Sequence, residues 1–84
     1  MQKYFVYILF SKKTNKFYIG SSEDPYKRLD RHNAGATLST KSGRPWEIKY
    51  IEEFGNKSDA LIREKYIKNM KSRKYIEMLI SSVG

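Results

Sequence analysis

The fold is decided by the stretch YFVYILFSKKTNKFYIG, residues 4–20. Its first part, 4–10, is an unbroken run of aromatic and aliphatic residues, which is typical of a strand covered on both faces. The polar segment 11–15 has the composition of a turn, and 16–20 resumes a strand pattern. The stretch therefore predicts a β-hairpin whose first strand lies centrally in a sheet.

The hairpin connection decides which side chains share a face, because side chains alternate between faces along each strand. Any loop with an even number of residues places Tyr7 and Tyr18 on the same face. A four-residue loop over 11–14 would place the two tyrosines directly opposite one another. The other face then carries the apolar residues Val6, Ile8, Phe17 and Ile19.

A helix is predicted directly after the hairpin. Asp24 is a good N-cap residue, and Pro25 suits the first helical position, where a missing N–H is not needed. The helix should end near residue 34, with Gly35 in the left-handed conformation. Arg28 and His32 are four residues apart in this helix, so they share one face.

The rest of the chain predicts a third strand and two more helices. Segment 36–44 is rich in Ser, Thr and Gly and is expected to be a loop, whereas the alternation over 46–54 predicts a strand. Asn56 and Ser72 each resemble the N-cap of a helix. The predicted order is therefore ββαβαα. The inward-facing residues are expected to be Ala60, Ile62, Tyr66, Ile67 and Met70 in the first of these helices and Tyr75, Ile76, Leu79 and Ile80 in the second.

Length and charge limit the range of functions. The 84 residues show no repeat, linker or low-complexity segment, and we expect one domain spanning 1–84. Seventeen Lys and Arg against nine Asp and Glu give a net charge of +8, which favours a polyanionic partner such as nucleic acid. A basic surface that serves only solubility is the alternative that charge alone leaves open.

Composition also excludes several kinds of site. The chain contains no cysteine and a single histidine, so cysteine nucleophiles, disulfides and histidine-rich zinc sites are ruled out. It has no phosphate-binding glycine loop and no Gly-x-Ser-x-Gly turn. The longest apolar run is too short to span a bilayer, and no signal peptide is visible. We therefore expect a cytoplasmic protein without a membrane partner.

Several short motifs occur in order along these predicted elements. Val6-Tyr7-Ile8 is followed in the second strand by Tyr18-Ile19-Gly20, and together they resemble the paired motif of the GIY-YIG nucleases. The resemblance is closest to the small, stand-alone bacterial members of that superfamily and covers nearly the whole chain. The match continues through Arg28, His32-Asn33-x-Gly35, the segment 42–46 and Arg63-Glu64.

The resemblance implies a fold, an activity and a set of site residues. It implies an α+β fold with a small three-stranded antiparallel sheet flanked by helices, and hydrolysis of a nucleic-acid phosphodiester with Mg²⁺ or Mn²⁺. Tyr7 and Tyr18 match the two motif tyrosines, Arg28 matches the helix arginine, and His32 matches a position that carries histidine or tyrosine. Glu64 matches the metal-binding glutamate. DNA is the favoured substrate, in repair or recombination.

Two positions depart from the family pattern. Val6 stands where the first motif begins with glycine, which is common among the small members. Ser21 stands where some members place an active-site lysine, so the proton acceptor is less well defined. Tyr7 could accept a proton from water only if adjacent positive charge lowers its pKa from the usual value of about 10.

Further basic residues are expected to contact the nucleic-acid backbone. Lys27 and Arg31 accompany Arg28 in the predicted helix, and Lys41 and Arg44 lie on the segment before the third strand. Such side chains neutralise phosphates and make binding depend on salt concentration.

Each site residue also has an ordinary structural explanation. The tyrosines could be sheet aromatics, Arg28 a solvated charge, and His32 a residue that favours the helix dipole. Glu64 has the spacing to pair with Lys68, and Trp46 is expected in the core. The functional alternatives are a nucleic-acid-binding module with little or no turnover, and a small structural protein of a ribonucleoprotein assembly.

Overall fold

The first strand, Tyr4–Ser11 (β1), lies in the centre of a three-stranded antiparallel sheet. Strand Lys16–Ser22 (β2) pairs with one edge of β1, and Trp46–Phe54 (β3) pairs with the other. The side chains from Val6 to Leu9 are at most 2% exposed, which confirms that β1 is covered on both faces. These and all later statements concern residues 3–82, which the computed structural model describes.

The hairpin register differs by two residues from the register of an 11–14 loop. Ser11 belongs to the strand and pairs with Lys16, so the loop spans 12–15, and Tyr7 lies opposite Gly20 instead of Tyr18. The Ser11 carbonyl accepts from the Asn15 N–H at 2.7 Å, which keeps Ser11 in the ladder. Because this loop also has four residues, Tyr7 and Tyr18 still share a face, as the sequence predicted.

Capping side chains start the helices where the sequence predicts. The Asp24 carboxylate accepts from the Lys27 N–H at the start of helix Pro25–Asn33 (α1). Asn56 caps helix Lys57–Met70 (α2) and Ser72 caps helix Arg73–Ser81 (α3) in the same way. None of the helices within 3–82 combines the length and the apolar character needed to cross a membrane.

The segment expected to be a loop contains a short 3₁₀ helix, Leu38–Gly43. Two of its residues, Thr40 and Gly43, are buried, although the sequence around them is polar. The Trp46 ring packs where a side chain on Gly43 would stand, and the Trp46 indole N–H donates to the Thr40 carbonyl at 2.7 Å. Packing against this tryptophan therefore orders a segment that has no strong helical pattern of its own.

The sheet separates two small cores. Helices α2 and α3 cover the face that carries Val6, Ile8 and Ile19. On the other face, Tyr7, Leu9 and Trp46 are buried together with Leu29 of α1. Trp46 is 6% exposed, which confirms its predicted place in the core.

The predicted apolar stripe of α2 is wrong for three of its five residues. Ile62, Tyr66 and Met70 are 68%, 51% and 42% exposed. The less exposed positions of the helix are instead Ala60, Arg63, Glu64 and Ile67. Apolar periodicity could not indicate this face because two of its four residues are charged. The rotation of α2 matters for function, since it turns Glu64 toward the sheet.

Candidate active site

A pocket of ≈ 300 Å³ opens beside the edge of the sheet formed by β2. It brings together Tyr7 of β1, Tyr18 of β2, Arg28 and His32 of α1, and Glu64 of α2. All five residues that the family resemblance singled out therefore line one cavity, although they come from four different elements. The remaining lining residues are Tyr4, Gly20, Ser21, Thr37 and Leu61.

Gly20 creates the space that the Tyr7 phenol occupies. A Cβ atom at this position would lie 2.6 Å from the Tyr7 hydroxyl oxygen, so a larger residue would displace the ring. The glycine lies directly across the ladder from Tyr7, which is the position that the observed register provides. The close approach of the Tyr7 ring therefore explains why the motif Tyr18-Ile19-Gly20 ends in glycine.

Tyr7 and His32 form a buried pair. The Tyr7 hydroxyl lies 3.2 Å from His32 Nε2, and each residue is only 2% exposed. The other ring nitrogen, Nδ1, lies 2.8 Å from the Thr40 hydroxyl, and the Tyr18 ring meets the imidazole edge-on at 4.9 Å. His32 is in the last turn of α1, but its contacts are those of an internal residue and not of a surface group that interacts only with the helix dipole.

Burial shifts the pKa of both members of this pair in the direction that favours the neutral form. It raises the pKa of Tyr7 to about 12, an effect that the negative charge of Glu64 reinforces and that Arg28 opposes. Burial also lowers the pKa of His32, with a further contribution from the positive charges of Arg28 and Arg31. The condition for Tyr7 to act alone as a base, a lowered pKa, is not met in this pocket, because burial outweighs the guanidinium.

Glu64 reaches from α2 to the exposed edge of β2. Its carboxylate accepts from the Ser21 hydroxyl at 2.5 Å and from the Lys68 ammonium at 2.6 Å. The side chain is 16% exposed, against 49% for Lys68. The ordinary pairing with Lys68 is therefore present, and the carboxylate lines the pocket at the same time.

The polar atoms of the pocket include oxygen donors of the type that a hard divalent cation prefers. Within residues 3–82, no three His, Cys, Asp or Glu side chains are grouped closely enough to hold a metal ion. In the described part of the chain, Glu64 is the one carboxylate that lines the pocket, with the Ser21 hydroxyl beside it. Magnesium keeps most of its waters and commonly takes one or two carboxylates together with substrate phosphate, so these hard oxygen donors fit Mg²⁺ or Mn²⁺. They do not fit a metal that needs several nitrogen or sulfur ligands.

A second cleft, of ≈ 480 Å³, adjoins the first. Tyr4 and Arg28 line both cavities, and Lys27 and Arg31 line the second one. Its wall also includes the acidic residues Glu23 and Asp24, of which Asp24 is engaged in capping α1. Lys27 and Arg31, two of the four residues expected to bind the nucleic-acid backbone, therefore lie next to the candidate active site.

The other two expected backbone-binding residues lie outside both cavities. The Arg44 guanidinium donates to the Lys41 carbonyl at 2.8 Å, and a Cβ atom at Gly35 would lie 2.8 Å from the same group. Lys41 is in the 3₁₀ helix, and Arg44 follows it directly. The structure does not bring these two residues to the pocket.

The sequence did not reveal the role of Thr37 and Thr40 in the site. Thr37 lines the pocket and Thr40 contacts His32, and both come from a segment that was expected to be only a Ser/Thr-rich loop. Their spacing of three residues is compatible with a 3₁₀ turn, but such pairs are common in loops. The local sequence contains no stronger signal for either residue.

Residues 3–76 match the family described as the GIY-YIG catalytic domain. The match covers most of the chain, and the chain belongs to this family, as its motifs predicted.

Individual relatives extend this assignment. The chain is 36% identical over 80 residues to a UPF0213 protein of Staphylococcus saprophyticus, a match that covers 94% of this chain and 96% of that protein. It is 30% identical to a UPF0213 protein from Bacillus halodurans whose structure was solved by NMR, with a TM-score of 0.59 over 94% of this chain and 83% of that chain. This likeness supports the α+β fold with its three-stranded sheet.

A third relative carries a functional description. The chain is 43% identical over 65 residues to the structure-specific endonuclease subunit slx1 of Schizosaccharomyces pombe. That match covers 69% of this chain and 24% of the longer protein. The family match and this relative together support a nuclease at the level of the family.

Proposed function

We propose that the protein is a divalent-metal-dependent endonuclease that hydrolyses phosphodiester bonds in nucleic acid. The observation that carries the proposal is the pocket itself, in which Arg28, Glu64, Tyr7 and His32 converge from separate elements. A pocket with one guanidinium, one carboxylate and a neutral phenol–imidazole pair has the groups that phosphodiester hydrolysis requires. The match to an endonuclease subunit supports the same reaction class.

Arg28 stabilises the negative charge that develops on the phosphate oxygens in the transition state. Glu64 would hold a divalent cation, which would supply further charge neutralisation at the phosphate. Removing one fixed donor of this kind typically lowers the rate by about 10² to 10³. Arg28→Ala should therefore lower the single-turnover cleavage rate by a factor in that range.

Tyr7 and His32 together accept the proton of the attacking water. Neither suits the role alone, because burial raises the pKa of Tyr7 to about 12 and lowers that of His32. As a hydrogen-bonded pair they allow a proton to enter at the phenol oxygen while another leaves it, so that no free phenolate has to form. Tyr18 packs edge-on against the imidazole and lines the same pocket, where its hydroxyl donates to an oxygen of the scissile phosphate.

Basic side chains beside the pocket bind the nucleic-acid backbone. Lys27 and Arg31 line the cleft that adjoins the pocket, so they suit phosphates next to the scissile one. Lys41 and Arg44 act farther from the reaction. We propose DNA as the substrate and the cytoplasm as the place of action, in repair or recombination, with no membrane involved.

Two observations favour a second candidate function, a nucleic-acid-binding module on the same fold with little or no turnover. Lys68 already neutralises Glu64 at 2.6 Å, and Tyr7 has no lowered pKa. If these contacts persist when nucleic acid is bound, the pocket would bind a phosphate without cleaving its ester.

A cleavage screen separates the two functions. Labelled single-stranded, duplex, flap and junction DNA, with matched RNA, is incubated with Mg²⁺, with Mn²⁺ and with excess EDTA. Glu64→Gln keeps the shape of the side chain and removes the charge that holds a cation, so it should abolish cleavage and retain binding. Cleavage in EDTA, or full activity of Glu64→Gln, would contradict the metal assignment. Salt-dependent binding without any cleavage would favour the binding module.

A further inference from the structure

A buried threonine contacts the imidazole of the Tyr7–His32 pair. Thr40 is 1% exposed, and its hydroxyl oxygen lies 2.8 Å from His32 Nδ1. The same hydroxyl lies 3.3 Å from the carbonyl oxygen of Thr37. A hydroxyl has one hydrogen to donate, so the two contacts cannot both use it.

Counting hydrogens favours one assignment of these two contacts. In it the Thr40 hydroxyl donates to the Thr37 carbonyl, which can only accept, and accepts from an N–H on His32 Nδ1. A neutral imidazole carries one N–H, which leaves Nε2 as an acceptor for the Tyr7 hydroxyl. In this arrangement every hydrogen of the three side chains has an acceptor.

The opposite tautomer of His32 satisfies fewer hydrogen-bonding groups. With the hydrogen on Nε2, the imidazole would donate to the Tyr7 oxygen, and Thr40 would donate to Nδ1. The Tyr7 hydrogen would then be without this acceptor at a residue that is 2% exposed. A buried donor without a partner is costly, so the geometry favours the Nδ1–H form.

Thr40 itself is held firmly. Its carbonyl accepts from the Trp46 indole N–H at 2.7 Å. The Trp46 backbone is held by the Asn33 side chain, which accepts from its N–H at 2.6 Å and donates to its carbonyl at 3.1 Å. Asn33 follows His32 directly in α1, so one connected set of bonds joins the imidazole, the 3₁₀ helix and the start of β3.

We propose that Thr40 is a positioning residue that holds His32 in the Nδ1–H tautomer, so that Nε2 receives the proton of Tyr7. The catalytic consequence rests on the proposed nuclease function, whereas the tautomer assignment does not. The sequence predicts no role in the chemistry for Thr40, and Lys41 of the same 3₁₀ helix is predicted only to contact the nucleic-acid backbone.

Each proton that moves in the reaction has a donor and an acceptor. As the water oxygen bonds to phosphorus, its proton passes to the Tyr7 oxygen, and the Tyr7 proton passes to His32 Nε2. The bond between phosphorus and the leaving oxygen breaks, and that oxygen takes a proton from solvent. The imidazolium, still donating from Nδ1 to Thr40, returns its extra proton to solvent after the products leave.

The tautomer can be measured directly, because His32 is the chain's only histidine. Two-bond ¹H–¹⁵N correlation spectra of the wild-type protein above pH 7 should show a protonated Nδ1 and an unprotonated Nε2. A wild-type spectrum dominated by the Nε2–H form would overturn the proposal, whatever the variants do.

Two substitutions test the role of the hydroxyl. Thr40→Val keeps the shape of the side chain and removes the hydrogen bond, whereas Thr40→Ser keeps the hydroxyl. Thr40→Val should lose the dominance of the Nδ1–H form, and Thr40→Ser should retain it. An unchanged tautomer in a folded Thr40→Val protein would contradict the proposal. If Thr40→Val does not fold, the wild-type and Thr40→Ser spectra still decide the assignment.

Cleavage kinetics test the catalytic consequence. With Mg²⁺ and saturating DNA, Thr40→Val should lower the single-turnover rate by about tenfold or more, and Thr40→Ser by less than about threefold, with DNA affinity unchanged in both. If wild type cleaves and Thr40→Val cleaves equally fast, the positioning role is wrong and the nuclease stands. If wild type cleaves no substrate, the nuclease proposal and this catalytic consequence fail together, while the spectra still report the tautomer.

Discussion

Replacing Lys68 by methionine should tighten metal binding at Glu64. The Lys68 ammonium lies 2.6 Å from one carboxylate oxygen, while Ser21 donates to the other oxygen at 2.5 Å. A cation that binds this carboxylate has to displace the ammonium or share the oxygen with it. Methionine keeps the length and the helix propensity of lysine and removes only the charge.

The magnitude follows from the charges and their exposure. An ammonium and a divalent cation about 4 Å apart repel by roughly 2 kcal/mol in bulk water, twice the value for two unit charges. Lys68 is 49% exposed, so it can move away, and salt screens the remainder. Movement and screening reduce this repulsion to about 0.5–1 kcal/mol. Lys68→Met should therefore bind the metal ion with roughly a two- to fivefold lower Kd.

The assay is titration with Mn²⁺, in which electron paramagnetic resonance measures the free ion without any need for turnover. Lys65→Met is the matched control, because it removes the same charge from an exposed position on the same helix. Lys65→Met should change the Kd much less than Lys68→Met. An unchanged or weaker Mn²⁺ affinity in Lys68→Met would refute the reasoning and indicate that the ammonium holds the carboxylate in its binding orientation.

Three further predictions concern the phenols, the imidazole and the basic cleft. Tyr7→Phe and Tyr18→Phe should each lower the single-turnover cleavage rate at least about tenfold. Tyr7→Phe should also lower the free energy of unfolding in urea by about 1 kcal/mol, because the buried Tyr7 hydroxyl is bonded to His32. Wild-type rates in both variants would contradict the roles of the phenols. Because the pKa of His32 is lowered in the folded state, its contribution to stability is full above about pH 6.5 and is lost as the pH falls toward the folded pKa. Between pH 8 and pH 5, urea unfolding should therefore show a smaller loss of stability for His32→Asn than for wild type. Equal losses would contradict the lowered pKa of His32. The double variant Lys27→Gln/Arg31→Gln should bind duplex DNA with a weaker dependence on salt. The slope of the logarithm of the binding constant against the logarithm of the salt concentration should fall by up to about 0.9 for each phosphate that is no longer neutralised. An unchanged slope would exclude both residues from the interface.

The sequence by itself determined the order of the elements and most of their boundaries. The caps at Asp24, Asn56 and Ser72 are local interactions, in which a side chain bonds to a backbone N–H three residues later. The placement of Tyr7 and Tyr18 on one face needed only the alternation of side chains along strands and an even loop. Predictions of this kind succeed because a cap joins groups three residues apart, and the face of a strand residue follows from its position along the strand.

The sequence determined the members of the candidate site only through the resemblance to a family. Composition and spacing alone left Arg28, His32 and Glu64 as ordinary surface residues of their helices. The motifs selected these residues, and the fold then brought them to one pocket. Their chemical roles remain predictions, which cleavage, metal titration and the histidine spectra test.

Tertiary structure alone decided the environment of each group. Apolar periodicity placed Ile62 and Tyr66 of α2 inward, but the helix turns Arg63 and Glu64 toward the sheet instead. Arg63 is accommodated there because its guanidinium donates to the Glu52 carboxylate at 2.8 Å. A partner 11 residues away on another element cannot be read from the helix sequence.

Tertiary structure also decided the direction in which the pKa of Tyr7 shifts. The sequence left open a lower pKa through adjacent positive charge, whereas burial in the core that Tyr7 shares with Leu9, Trp46 and Leu29 raises it to about 12. The contact of Thr40 with His32 likewise exists only because Trp46 orders a Ser/Thr-rich segment against the end of α1. Desolvation and hydrogen-bond partners depend on which elements pack together, so they are properties of the folded chain and not of any local stretch of it.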